Sequence, residues 1–215
     1  INREWEIKGY LFFVTKNGLC KRVEAKEFES IRQSGKIAIT MKDDDELVTV
    51  KPTLGDEEII IAASNGKAVR FDERVVRAMG RNASGVRGMN VDGSTVIGAC
   101  TSKEGAQILV VSKYGYGKKT PVEEYRITSR GAKGVKTINI NESNGELVAL
   151  KAVNGDEDAL IMRNDGVIIR ISLSNVSTLG RVTKGVRLIK PEENTYVKTV
   201  TLMDHQDEES EEEGE

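Results

Sequence analysis

The amino-acid sequence predicts an all-β protein, a propeller-like disc of blades with four strands each. Three observations carry this reading. A glycine in a basic setting recurs at positions 35, 85, 134 and 185, at intervals of 50, 49 and 51 residues, and self-similarity of that period marks a repeat architecture. Each period also contains two apolar runs joined by a tight-turn signal. Finally, no interval between runs holds an amphipathic helical pattern of roughly 10–15 residues, so a βαβ reading fails.

Each repeat opens with a hairpin. Residues 11–14 reach Asn17-Gly18 and then 19–23. Residues 59–62 reach Asn65-Gly66 and then 67–71, and residues 159–162 reach Asp165-Gly166 and then 167–171. Asn-Gly and Asp-Gly tolerate positive φ at both central positions, which predicts type I′ turns. In the third repeat residues 108–111 reach Tyr114-Gly115 instead, and there the turn type stays open. Less regular stretches follow at 72–79, 122–127 and 172–179. A third strand is expected at 37–40, 86–91, 135–140 and 186–189. A fourth is expected at 47–50, 95–100, 147–153 and 197–202. Four strands per period of about 50 residues is the pattern of propeller blades. The interval between strands two and three is too long for a hairpin and suggests a Greek-key return. The expected organisation is a stub at 1–9, repeats at about 10–57, 58–106, 107–158 and 159–203, and an acidic tail at 204–215.

Charge divides the chain in two. Residues 204–215 hold eight acids and no Lys or Arg, which leaves 26 acids against 32 bases in residues 1–203. The body is therefore cationic, a balance that points to a polyanionic partner, and the tail is expected to be disordered. Within the body, the windows 30–42, 79–90, 126–137 and 179–190 hold 13 Lys or Arg and no acid. The centre of the pattern is Arg130-Gly-Ala-Lys-Gly-Val-Lys136. Set once per blade, such loops would form a positive stripe on one edge of the disc. The glycines would let backbone N–H groups approach phosphates as an anion nest, and Arg would add two-pronged phosphate contacts. Aromatic residues make up 5% of the chain and none lies in these windows. Backbone contact with a duplex is thus expected rather than base stacking on a single strand.

Other chemistry finds little support. The single histidine, His205, lies in the tail, far from any nucleophile, which excludes a Ser-His-Asp triad and a His-based metal site on the body. Residues 115–120 lack the spacing of a phosphate loop. Asp43-Asp44-Asp45-Glu46 reads as a solvated turn. Cys20 and Cys100, 80 residues apart, read as buried free thiols of a cytosolic protein. No run approaches the roughly 18 apolar residues of a membrane span, and no signal peptide is expected at the N-terminus. No catalytic residue, cofactor or metal is expected in this chain.

The segments 130–136, 80–88 and 114–126 resemble the C-terminal domain of the bacterial DNA gyrase A protein, over essentially the whole chain. The corresponding domain of topoisomerase IV is the nearest relative. The resemblance implies a β-pinwheel, a propeller-like disc in which neighbouring blades exchange a strand. It also implies that a basic rim wraps double-stranded DNA so that the intact enzyme introduces negative supercoils using ATP. The rim contacts would be Arg32, Lys36, Arg81, Arg87, Arg130, Lys133, Lys136, Arg181, Lys184 and Arg187. The implied partners are the rest of the gyrase A protein and the gyrase B protein in an A2B2 enzyme, in the cytoplasm at the nucleoid and not at a membrane. The family usually has six blades and an early Gln-Arg-Arg-Gly-Gly-Lys-Gly box. The box is absent here, which suggests a fragment holding the last four blades, with the catalytic regions elsewhere. The other reading is a propeller for protein–protein contacts.

Overall fold

In the computed structural model of the chain, residues 8–30 and 33–205 are described. Most of the expected stub, Arg32, and residues 206–215 of the tail lie outside them. The first repeat supplies β1 (Tyr10–Thr15), β2 (Leu19–Glu24) and β3 (Leu47–Thr53). The second supplies β4 (Glu58–Ala63), β5 (Lys67–Asp72), β6 (Val86–Arg87) and β7 (Val96–Thr101). The third supplies β8 (Gln107–Ser112), β9 (Tyr116–Pro121), β10 (Val135–Lys136) and β11 (Leu147–Val153). The fourth supplies β12 (Asp158–Arg163), β13 (Ile168–Ser172), β14 (Val186–Arg187) and β15 (Val197–Met203). The less regular intervals hold single 3-10 turns at Ala25–Phe28, Glu73–Val75, Val122–Glu124 and Leu173–Asn175.

The sheets run β3-β1-β2-β6, β7-β4-β5-β10, β11-β8-β9-β14 and β15-β12-β13. The short third strand of each repeat therefore belongs to the sheet of the repeat before it, Leu19 facing Arg87 and Cys20 facing Val86 in the first case. This corrects the length expected for strand three, which is two residues rather than four to six. Past Arg87 the chain turns around the preceding hairpin, where Gly88 and Met89 donate to the Gly18 carbonyl at 2.8 and 3.1 Å. Residues 37–40 form no strand, and no second strand lies before β1 among the described residues to pair with them. The last sheet has three strands, β15-β12-β13, among the described residues. The series is open, with no sheet pairing between first and last blade among the described residues.

The hairpin turns also differ from expectation. Gly18, Gly66, Gly115 and Gly166 have φ of 84°, 77°, 80° and 88°, while Asn17, Asn65 and Asp165 are not left-handed. Each glycine N–H closes on the residue three before it, as Gly18 does on Thr15 at 3.0 Å and Gly115 on Ser112 at 3.0 Å. Only the glycine needs the left-handed region, so the turn is not type I′. For the same reason Tyr114 can stand where the other repeats carry Asn or Asp.

Alternating faces of the central strands pack against different neighbours. Ile59 and Ile61 join a cluster with Phe12, Val14 and Phe71, whereas Ile60 and Ala62 join Ile108, Val110 and Tyr125. Leu109 and Val111 face Ala159 and Ile161 in the third cluster. A strand buried on both faces reads as a continuous apolar run, which is why residues 59–62 show no alternation. Cys20 and Cys100 are free and buried, as expected.

Cations of the second strands tie each blade to the next. Arg22 meets Glu73 at 3.6 Å, Arg70 donates to the Val122 and Tyr125 carbonyls, both at 2.9 Å, and Lys119 donates to the Leu173 carbonyl at 2.7 Å. All three reach the 3-10 turn of the following repeat. Lys118 and Lys119, which lie in the glycine-rich segment at 115–120, are thus strand residues buried against protein carbonyls.

Candidate nucleic-acid interface

Strand exchange decides where the basic loops lie. At Gly85, Gly134 and Gly185 the backbone is left-handed. A Cβ there would stand 2.5, 2.3 and 2.7 Å from the carbonyl oxygens of Cys20, Ala68 and Gly117, on the second strand of the preceding sheet. Only glycine permits that approach. At these three positions the glycine is fixed by backbone packing, whereas Gly35 has no atom within 4 Å of a Cβ. Past each glycine the two-residue strand turns Val86 and Val135 toward the core clusters, while Arg87, Lys136 and Arg187 stand exposed.

Two buried lysines shape these loops. Lys21 on β2 donates to the carbonyls of Ala38 at 2.8 Å and Ala83 at 2.9 Å, and also to those of Gly80 and Arg81. Its counterpart on β9, Lys118, donates to the Arg181 carbonyl at 2.6 Å and Thr183 Oγ1 at 3.0 Å. Burial pushes each ammonium down to about 8, with the charges of Arg81 and Arg181 acting in the same sense and that of Glu124 opposing at Lys118.

Consecutive basic loops are hydrogen-bonded to one another. Gly131 donates to the Gly88 carbonyl at 2.7 Å and Asn90 to the Ala132 carbonyl at 2.9 Å; one repeat later Asn139 donates to the Thr183 carbonyl at 3.1 Å. The arginines repeat the pattern: Arg81 donates to the Ile37 carbonyl at 3.0 Å, Arg130 to Arg87 at 2.8 Å and Arg181 to Lys136 at 2.6 Å. The loops thus form one continuous belt across the blade edges.

Nine of the ten expected rim residues are described, and they lie on this belt. Arg87, Arg130, Lys133, Lys136 and Arg187 are exposed, whereas Lys36, Arg81, Arg181 and Lys184 are half-buried; Arg32 lies outside the described residues. Lys36 donates to the Glu27 carbonyl at 3.2 Å.

Residues outside the acid-free windows also reach the belt. Asp92 meets Lys133 at 2.9 Å and Lys67 at 3.8 Å, and the Lys133 hydrogen bond holds its carboxyl below the usual range. The counterpart of this pair is Lys184 with Ser143 Oγ at 2.8 Å, a neutral partner. Tyr116 lies on the belt, since β9 pairs it with Arg187. Its ring centroid is 4.2 Å from Lys184 Nζ and 4.8 Å from the Arg187 guanidinium, and its hydroxyl accepts from Arg187 at 2.8 Å. The exchange register is the signal that would have found it. The acids at 43–46 brace the first hairpin, with Asp45 accepting from Asn17 N at 2.9 Å and Lys16 meeting Glu46 at 2.7 Å. Among the described residues no group of three or more His, Cys, Asp or Glu is placed to hold a metal, and no helix is long and apolar enough to cross a membrane.

Comparison with known families bears directly on this belt. The family model described as DNA gyrase C-terminal domain, beta-propeller, matches residues 9–53, 57–99, 106–154 and 164–201, one segment per repeat. The chain belongs to that family. The DNA gyrase A protein of Ureaplasma parvum serovar 3 is 46% identical over 197 residues, covering 91% of this chain and 24% of that protein. The gyrase A protein of Staphylococcus epidermidis is 43% identical over 201 residues, covering 92% and 22%. The chain therefore spans about a quarter of the length of these relatives. A solved C-terminal domain of DNA topoisomerase IV superposes with a TM-score of 0.87 at 27% identity, over 94% of this chain and 64% of that one. A solved DNA gyrase A C-terminal domain gives 0.82 at 26%, over 94% and 68%. The fold is thus the β-pinwheel of the gyrase C-terminal domain, with its exchanged strands.

Proposed function

We propose that this gyrase C-terminal domain binds and bends duplex DNA along the belt. It would do so as a non-catalytic module of the gyrase A protein, partnered by the rest of that polypeptide and by the gyrase B protein in an A2B2 enzyme at the nucleoid. ATP hydrolysis and strand cleavage would reside in those other parts, and the bend would favour negative supercoiling. The single observation that carries this is the belt itself: cations repeated in phase on hydrogen-bonded loops that share one edge. A surface of this kind meets phosphates without reading bases. Residues 204–215 would act as an acidic tail competing for the same cations.

Titration of a duplex against salt tests the reading. If about 6–10 phosphates are neutralised, affinity falls about 10³–10⁵-fold between 50 and 200 mM salt. The Arg87→Gln, Lys136→Gln and Arg187→Gln triple variant should weaken binding to all sequences alike and flatten the slope by about 2.7. A shallow slope in the parent protein, or loss confined to one sequence, would refute the proposal. Binding of an acidic protein without DNA bending would favour the protein–protein alternative.

A further inference from the structure

Arg81, Arg130 and Arg181 occupy equivalent places, each four residues before the glycine of its exchanged strand. Each sends Nη1 to a carbonyl one repeat back, and the acceptors Ile37, Arg87 and Lys136 are themselves equivalent, each two residues past its glycine. Arg181 adds Nε to the Glu124 carbonyl at 2.7 Å, and its backbone N–H donates to Glu124 Oε2 at 3.1 Å. Two of the three carry a second clamp at their own backbone, where Lys21 and Lys118 grip the Arg81 and Arg181 carbonyls. Three in-phase copies of one contact make an accidental side-chain placement a poor explanation.

We infer that these arginines are positioning residues, which set the interval between successive phosphate-facing cations. The inference rests on the proposed DNA interface but assigns these three a role other than phosphate contact. The acceptors explain why. Arg87 and Lys136 stand exposed on the exchanged strands, and the guanidinium of the next loop holds the carbonyl of each. The arginine therefore fixes the backbone root of the neighbouring cation. A guanidinium suits this task because its planar fork holds a donor in fixed geometry, whereas a lysine ammonium on a flexible stem does not.

The test replaces geometry while keeping charge, with Arg81→Lys, Arg130→Lys and Arg181→Lys combined. Arg130→Lys alone serves as the second variant should the triple variant fold poorly, since Arg130 is exposed. Two readouts are taken. The first is the salt slope of duplex binding together with the bend of saturated DNA, measured by energy transfer between end labels. The second is the distance distribution, without DNA, between spin labels at Val75→Cys and Asn175→Cys, with the native cysteines protected by burial. The expected result is a salt slope within about 0.9 of the parent value, a smaller bend, and a broader label distance. A bend and distance distribution equal to the parent's would overturn the inference. A parent protein that does not bend DNA at all, beside a broadened distance in the variant, would refute the proposed function and leave the positioning role standing.

Discussion

Asp92 offers the sharpest test of the belt because it is an acid set among cations. Its carboxylate holds Lys133 at 2.9 Å and lies 3.8 Å from Lys67, with 43% of the side chain exposed. Exposed pairs of this kind contribute little to folding, so Asp92→Asn should leave thermal stability nearly unchanged. The site is left-handed, with φ of 53°, and Asn tolerates that region better than most residues. Toward DNA the change should be larger, because one anion leaves the surface and two ammonium groups are freed. If one or two further phosphates are contacted, the salt slope steepens by about 0.9–1.8. The advantage over the parent should then shrink about 3.5-fold per added contact between 50 and 200 mM salt.

The repeat supplies its own control. Ser143 stands where Asp92 stands, and Lys184 donates to it at 2.8 Å. Ser143→Asp should therefore weaken binding and flatten the slope by about 0.9. Fluorescence anisotropy on a short duplex across a salt series measures both variants. An unchanged slope in both would refute the argument, since it would mean that DNA does not touch this face.

Three further outcomes follow from the same contacts. Gly134→Ala would place a Cβ 2.3 Å from the Ala68 carbonyl in a left-handed residue, whereas Gly35 has no atom within 4 Å of that position. Chemical denaturation should therefore show Gly35→Ala costing about 1–2 kcal/mol for left-handedness alone and Gly134→Ala clearly more. The folded-state values of Lys21 and Lys118 are depressed to about 8 from 10.5. Above pH 8 the unfolded chain thus keeps protons that the folded chain loses, and these groups make stability rise with pH toward 10.5 by at most about 1.4 kcal/mol per unit each. Denaturation of the parent against Lys118→Met from pH 7.5 to 9 should show that rise reduced in the variant; equal slopes would contradict it. Removal of residues 204–215 should tighten duplex binding at low salt, as read by the same anisotropy titration, and an unchanged affinity would count against a competing tail.

The four-fold division, the hairpins and the inner strands were legible because their signals are local. Apolar runs bounded by a glycine turn report their own conformation wherever they occur. The sheet to which Val86 and Arg87 belong was not legible from pattern, since a two-residue strand carries almost no periodicity and its partner, β2, lies more than sixty residues away. Resemblance supplied that expectation instead. The turn type failed because Asn-Gly is compatible with more than one hairpin, and the choice depends on where the hydrogen bond from Gly18 closes. Nine of the ten candidate rim residues lie on the hydrogen-bonded belt, whereas Asp92 and Tyr116 lie outside the acid-free windows of the sequence. Tyr116 reaches the belt through pairing with Arg187, and Asp92 through the loop of the following repeat.

Strand exchange and the cationic edge are one feature seen twice. The segment Gly-Val-Arg must contain glycine to lie against the preceding second strand, and Val86 must turn inward to reach the cluster around Cys20 and Ile61. Successive strand residues point to opposite faces, so Arg87 then has no choice but to point out. Lys136 and Arg187 follow by the same logic, each paired with the first residues of the second strand one blade back. The spacing of charge along the edge is consequently inherited from the packing of the blades. A substitution that alters blade-to-blade registry should thus change how DNA is curved without touching a single exposed cation.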